Sequence, residues 1–251
     1  MTGEVARWRL QMGTGIGPWA DHRGMVHAVD ESRWLLLSGL PSPDVNLAMV
    51  YDADPAVLAG TLAEIDAMAT PALVLLAGAG AERVGDLADP WLHVGEMPMM
   101  TIELASAPLR ADPRVRPAGP EDREAVASLL ADAYHMSPDV VWVCVDPLDR
   151  TSETMGIWVL EDDGVAVSTV TTTLTDDAVS IWCMATPERY GRRGYGRALL
   201  GAVLEHFHQQ GVRTGLLGAT PAGEPLYAAS GWQHVERWQV FTNAASAQFS
   251  G

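Results

Sequence analysis

Apolar residues recur along this chain with two different periods, and the two kinds of block alternate. From residue 120 the pattern is helical: Val126, Leu129, Leu130 and Ala133 lie three and four apart and share one face. Pro120 opens that segment, and Glu121 and Asp122 put negative charge where the helix macrodipole favours it. Residues 154–161 and 165–174 are instead rich in β-branched and aromatic positions. Asp162, Asp163 and Gly164 between them predict a hairpin turn. Val115–Pro117 predicts a short strand before the helix, and residues 178–185 predict a longer one after a turn at Thr175, Asp176 and Asp177. Leu199, Leu200, Val203, Leu204 and Phe207 give the next helix a single apolar stripe, which Gly211 ends. Residues 212–217 predict a strand, 218–227 a loop leading into a short helix, and 235–242 a last strand.

The junction between the strand at 178–185 and the helix after it reads Arg189-Tyr190-Gly191-Arg192-Arg193-Gly194-Tyr195-Gly196-Arg197. Glycines let consecutive backbone N–H groups converge, and a helix N-terminus adds partial positive charge. Arg192, Arg193 and Arg197 add full charges able to pair bidentately with phosphate. In a chain of formal charge −16, this concentration of arginine predicts a phosphate or pyrophosphate ligand. A P-loop is excluded because the chain has no lysine. The dinucleotide fingerprint fails because Gly194-Tyr195-Gly196 is followed by Arg197-Ala198-Leu199.

The stretch resembles motif A of the GNAT acyl-CoA N-acyltransferases, Gln/Arg-x-x-Gly-x-Gly/Ala at the start of a helix. The position three before Gly194 is Gly191, and Arg192 follows one residue late, so the loop reads as carrying a small insertion. With the elements around it, the resemblance covers about residues 112–243. It implies an α/β (α+β) fold, a mixed central sheet flanked by helices. It implies acetyl-CoA as acyl donor, with the pantetheine arm against the backbone of Met184, Ala185 and Thr186 and the pyrophosphate held by Arg192, Arg193, Gly194, Tyr195, Gly196 and Arg197. Tyr227 matches the family tyrosine that protonates the leaving thiolate; the bland alternative for it is a core aromatic. The implied activity is direct acetyl transfer to the amine of a small-molecule acceptor in a ternary complex. The alternatives are a non-catalytic acyl-CoA-binding regulatory module and an enzyme using another acyl-CoA. The 178–185 strand carries no carboxylate to serve as base. Ser180, Glu161, Asp146, Asp139 and His135 are the candidates nearby.

The first hundred residues repeat the second half. Leu58 and Leu199, Gly60 and Gly201, Glu64 and Glu205, Leu75-Leu76 and Leu216-Leu217, and Trp91-x-His93-Val94 and Trp232-x-His234-Val235 all share one spacing of 141 residues. This predicts two tandem GNAT-like units: residues 1–108, a degenerate copy, and 109–251, the catalytic domain. At that spacing Asp52 and Asp54 replace the arginine–glycine loop, and Asp86 stands opposite Tyr227. Carboxylates repel pyrophosphate, so the first copy is expected to shape the sheet or the acceptor pocket and not to bind the cofactor. Gly13, Gly15 and Gly17 with Trp8 and Trp19 read as part of such a surface or as turns.

Composition adds bounds. Two cysteines make no disulfide framework, and the N-terminus has no apolar leader, so a cytoplasmic location is expected. A pI near 4.6 argues against nucleic-acid or anionic-membrane partners. His206 and His208 are two apart on a helix and face apart, so no metal is expected. A homodimer is a candidate assembly.

Overall fold

The computed structural model describes residues 2–149 and 152–244. The first half runs α1 (Thr2–Gly15), α2 (Gly17–Arg23), β1 (Val26–Val29), β2 (Arg33–Leu37), β3 (Asn46–Val50), α3 (Pro55–Met68), β4 (Leu73–Leu76) and β5 (Leu92–Glu103). The second runs β6 (Val115–Pro117), α4 (Arg123–Tyr134), α5 (Pro138–Val145), β7 (Met155–Asp162), β8 (Val165–Thr175), β9 (Ala178–Ala185), α6 (Tyr195–Gln209), β10 (Thr214–Gly218), α7 (Glu224–Ala228) and β11 (Gln233–Thr242). The strand blocks read from the sequence lie within a residue or two of these bounds, while the helix expected from Pro120 begins with a 3-10 turn (Pro120–Asp122) before α4, and α5 was not among the expected elements.

All these strands join one mixed sheet, in the order β1-β2-β3-β4-β11-β5-β10-β9-β8-β7-β6. β3 with β4 and β9 with β10 are its parallel pairs, and α3 and α6 make the two crossovers. Read outward from the β11–β5 pair, the order is symmetric as far as β1 and β7, with β4 and β10 in matching places and β6 added at one edge. At the centre β11 pairs with β4, and β5 pairs with β10. The sheet therefore runs unbroken across the 108/109 boundary.

Helices cover both faces. Leu199, Val203 and Leu204 of α6 pack with Val179 and Ile181 of β9 on one face. On the other, α4 and α5 bury Val126, Leu130, Val141 and Cys144. Gly13 and Gly15 lie in α1 and Gly17 opens α2, not in turns, and for the first two the reason is close approach. A Cβ on Gly13 would stand 2.5 Å from the Trp34 ring, and one on Gly15 would stand 2.6 Å from Thr173 Oγ1. Trp8 and Trp19 are buried with Met12, Ile16 and Trp34, which removes them from any surface. Trp19 meets Trp182 of β9 edge to face at 6.4 Å, so the first half's helices pack directly on the strand that precedes the arginine loop.

Candidate active site at the fork between β9 and β10

β9 and β10 pair only at Thr214 with Ala178, Gly215 with Val179 and Leu216 with Ser180. Beyond Ser180 they separate, because β10 stays paired with β5 through Gly218 while β9 follows β8. A register shift helps β9 away: between the pairs Thr169–Ala185 and Thr171–Trp182, β9 carries one extra residue. Cys183 takes up the irregularity with φ +45°, a strained value for a residue with a side chain. The result is a wedge whose β9 wall is Met184, Ala185 and the following Thr186.

Two phenols meet Met184. Tyr227, on α7, is 8% exposed, and its hydroxyl has the Met184 sulfur as its contact at 3.5 Å. Burial pushes its pKa well above that of a free tyrosine, so it stays a protonated donor. Tyr134, at the end of α4, donates to the Met184 carbonyl at 2.7 Å, and burial raises its pKa too. Sequence reasoning missed Tyr134. It follows the apolar stripe of α4 by one residue and looks like an ordinary helix-end aromatic. Ser168 fixes the neighbouring backbone by donating to the Ala185 carbonyl at 3.0 Å, and its oxygen lies 2.8 Å from Thr186 Oγ1.

The loop at the mouth of the wedge gathers arginines at an open helix N-terminus. Arg192 and Gly194 both take left-handed backbone (φ +58° and +82°), which turns successive N–H groups inward. Gly194 is the N-cap of α6, and no side chain caps that helix. Gly196 has a different role: a Cβ there would lie 3.1 Å from Thr186 Oγ1 and 3.3 Å from Met184 Cε, so its absence seats α6 against the wedge. The Tyr195 side chain turns away and its hydroxyl donates to Asp162 at 2.5 Å, leaving the backbone as the part of Tyr195 at the loop. Arg193 leans toward that Tyr195 hydroxyl.

Ion pairing separates these arginines from the others. Among the arginines whose side chains are described, every one except Arg110, Arg192, Arg193 and Arg197 lies within 4 Å of a carboxylate. In a chain so rich in acid, all four exceptions lie at the start of α6 or beside it. Arg110 is the second residue that sequence reasoning passed over, since it reads as linker.

The candidate bases are spread out. Ser180 is buried at the apex of the fork, on its last paired rung. Glu161 is held by Arg116 at 3.0 Å, and Asp146 is buried 3.5 Å from Arg123. Asp139 and His135 are exposed at the start of α5 and the end of α4. Among the described residues no group of three or more His, Cys, Asp or Glu gathers to hold a metal. No helix among them is long and apolar enough to cross a membrane.

Residues 124–232 match the family model for the acetyltransferase (GNAT) family. This segment is a GNAT acetyltransferase domain. GNAT proteins are generally acyl-CoA N-acyltransferases, and the matched segment holds the fork, the arginine loop and Tyr227. Solved structures extend the likeness of fold to nearly the whole chain. A GCN5-related N-acetyltransferase from Kribbella flavida aligns with TM-score 0.67 at 16% identity, covering 96% of this chain and 97% of that one. A putative GNAT-family acetyltransferase from Novosphingobium aromaticivorans gives 0.60 at 13%, covering 94% and 97%. A GCN5-related N-acetyltransferase from Sphaerobacter thermophilus gives 0.57 at 17%, covering 98% and 94%. No curated protein matches the chain. The 141-residue correspondence brings the start of α3 opposite the start of α6, and there the two halves differ. β3 and β4 stay paired to their ends, through Val50 with Leu76, so no wedge opens. The Asp54 carboxylate caps α3 itself, accepting from the Ala56 N–H at 2.9 Å.

Proposed function

We propose that the protein is an acetyl-CoA-dependent N-acetyltransferase that acts on a small amine, and that its one cofactor site is the β9–β10 fork. The observation that carries this is the conjunction at the fork: an unpaired strand edge, an uncapped helix N-terminus with arginines that have no carboxylate within 4 Å at its mouth, and a buried protonated phenol at Met184. The pyrophosphate of CoA supplies the negative charge that the loop of Arg192, Arg193, Gly194 and Arg197 lacks. Met184, Ala185 and Thr186 supply the strand edge along which the pantetheine amides extend.

In the reaction the acceptor amine forms the new N–C bond at the thioester carbonyl, and the C–S bond then breaks. The sulfur takes its proton from Tyr227, whose weak contact with the Met184 sulfur leaves the hydroxyl uncommitted to any stronger acceptor. The amine proton leaves by way of water near Ser180, since Glu161 and Asp146 are occupied by arginines. On this reading the chain is a tandem of residues 1–108 and 109–251. The first copy contributes a strand, β5, and the helices α1 and α2, while its own cofactor loop has become an internal cap. Incubating the protein with acetyl-CoA and a panel of amines tests the function. Acetylated amine and free CoA thiol are the expected products. Tight CoA binding with no turnover across the panel favours instead the regulatory acyl-CoA-binding reading.

A further inference from the structure

The two faces of the fork differ in what covers them. α6 and Tyr227 of α7 share one core with Val179 and Ile181, so they lie over one face of β9. Ala178 and Trp182 alternate with those residues and belong to the core under α1 and α2 on the other face. Ser180, at the apex of the fork, falls between them on that second face. An amine attacking the thioester opposite Tyr227 approaches from there.

What remains half-buried on that face is apolar. Met25, Met97, Trp182, Cys183 and Val235 all pack against the α1–α2 core and keep part of their surface free. They come from both sides of the fork. On the β9 side the Trp182 ring is fixed: its Nε1 donates to Thr173 Oγ1 at 3.0 Å, and Trp19 meets it edge to face. On the β10 side stands Met97 of β5. A Cβ on Gly218, the last residue of β10, would lie 2.8 Å from the Met97 sulfur and 2.5 Å from the Trp238 ring, so the missing side chain is what seats Met97 at the strand end. Glu236, on the same face, is committed: Arg9 donates two bonds to it, and Trp238 Nε1 donates a third at 2.7 Å. It therefore offers no counter-ion to a second ammonium. An indole facing a thioether is a flat, polarizable pair of walls that suits an aromatic ring.

We infer that the acceptor is an arylalkylamine whose ring lies between Trp182 and Met97, one wall from each half of the chain. The inference rests on the assignment of the fork as the acyl-CoA site and names the class of amine that site takes.

Steady-state kinetics with acetyl-CoA and either phenethylamine or putrescine test it, with calorimetry of CoA alongside. The wild-type kcat/KM is expected to be at least about tenfold higher for phenethylamine. Met97→Gln keeps the length of the side chain and makes its end polar. It should raise KM for phenethylamine about fivefold and leave the Kd of CoA within about twofold. Trp182→Leu carries the same expectation at the other wall, and melting temperatures separate lost binding from lost fold. A kcat/KM for putrescine equal to or above that for phenethylamine overturns the inference and leaves the fork assignment standing. An unchanged KM for phenethylamine in either variant also overturns it, as does acetylation of neither amine by a chain that binds CoA. A wild-type chain that binds no CoA overturns the fork assignment itself.

Discussion

At the scale of single residues the account rests on Tyr227 and on the arginines of the loop. Tyr227→Phe keeps the ring that packs against Trp232 at 5.8 Å and removes only the proton donor. Turnover should fall about 100-fold, with CoA affinity within about twofold of wild type. Full turnover by the variant would show that Tyr227 is a packing residue. Because burial raises its pKa, Tyr227 stays protonated past the ordinary tyrosine range. The alkaline limb of kcat should therefore show no loss of activity assignable to it below about pH 10. Tyr134→Phe frees the Met184 carbonyl and should weaken the site through the bulge while leaving the acid in place. The place of the loop arginines at the start of α6 and of Tyr227 on a short helix was legible in the sequence because each belongs to a local motif. The contact of Tyr134 with Met184 was not, since it depends on what the fold brings against the end of α4.

At the scale of elements, the same start-of-helix position is solved in two ways. α3 is capped internally by Asp54, and α6 is left open by Gly194. Both were foreshadowed by composition, two carboxylates against three arginines and a glycine. The closed state of the β3–β4 pair was not foreshadowed, because strand splaying depends on the partner that holds each strand. α5 shows a second limit. Pro138–Val145 is a valine-rich run that favours strand by composition, yet the start signal Ser137-Pro138 and burial on nearly every side make it a helix. Another element-scale tie joins the ends of the chain. Arg9 of α1 meets Glu236 of β11 in a two-pronged ion pair, with a 2.7 Å bond from Nε to Oε1. The two side chains are only 11% and 14% exposed. Glu236→Ala leaves Arg9 buried and unpaired and should cost roughly 3 kcal/mol in denaturant unfolding. A change below about 0.5 kcal/mol would show that the pair is solvated in solution.

At the scale of the whole molecule, the placement of β11 between β4 and β5, and of β5 beside β10, makes the two halves one sheet. The 141-residue spacing marked matching positions but held no sign of this strand order, because the hydrophobic periods of β5 and β11 suit either neighbour. With β11 between β4 and β5, separate expression of residues 1–108 and 109–251 should give poorly folded halves, read by near-UV circular dichroism. The charge pattern sets the acid limit of the whole fold. Asp112, Asp122 and Asp177 are held below the usual aspartate range by Arg114, Arg116 and Arg213, and Asp162 by Tyr195 and then Arg114. Their folded pKa values lie below the unfolded ones. Their contribution is therefore complete above about pH 4 and is lost as the pH falls through the folded values. The urea midpoint should stay level from neutral pH down to about pH 5 and drop below pH 4. The most direct test of the central claim, that only the open fork of the second half takes the cofactor, is the stoichiometry of CoA binding by calorimetry. The account predicts one CoA per chain, with affinity reduced at least several-fold in Arg192→Ala/Arg193→Ala. Two equivalent sites per chain, or one site indifferent to those substitutions, would contradict it.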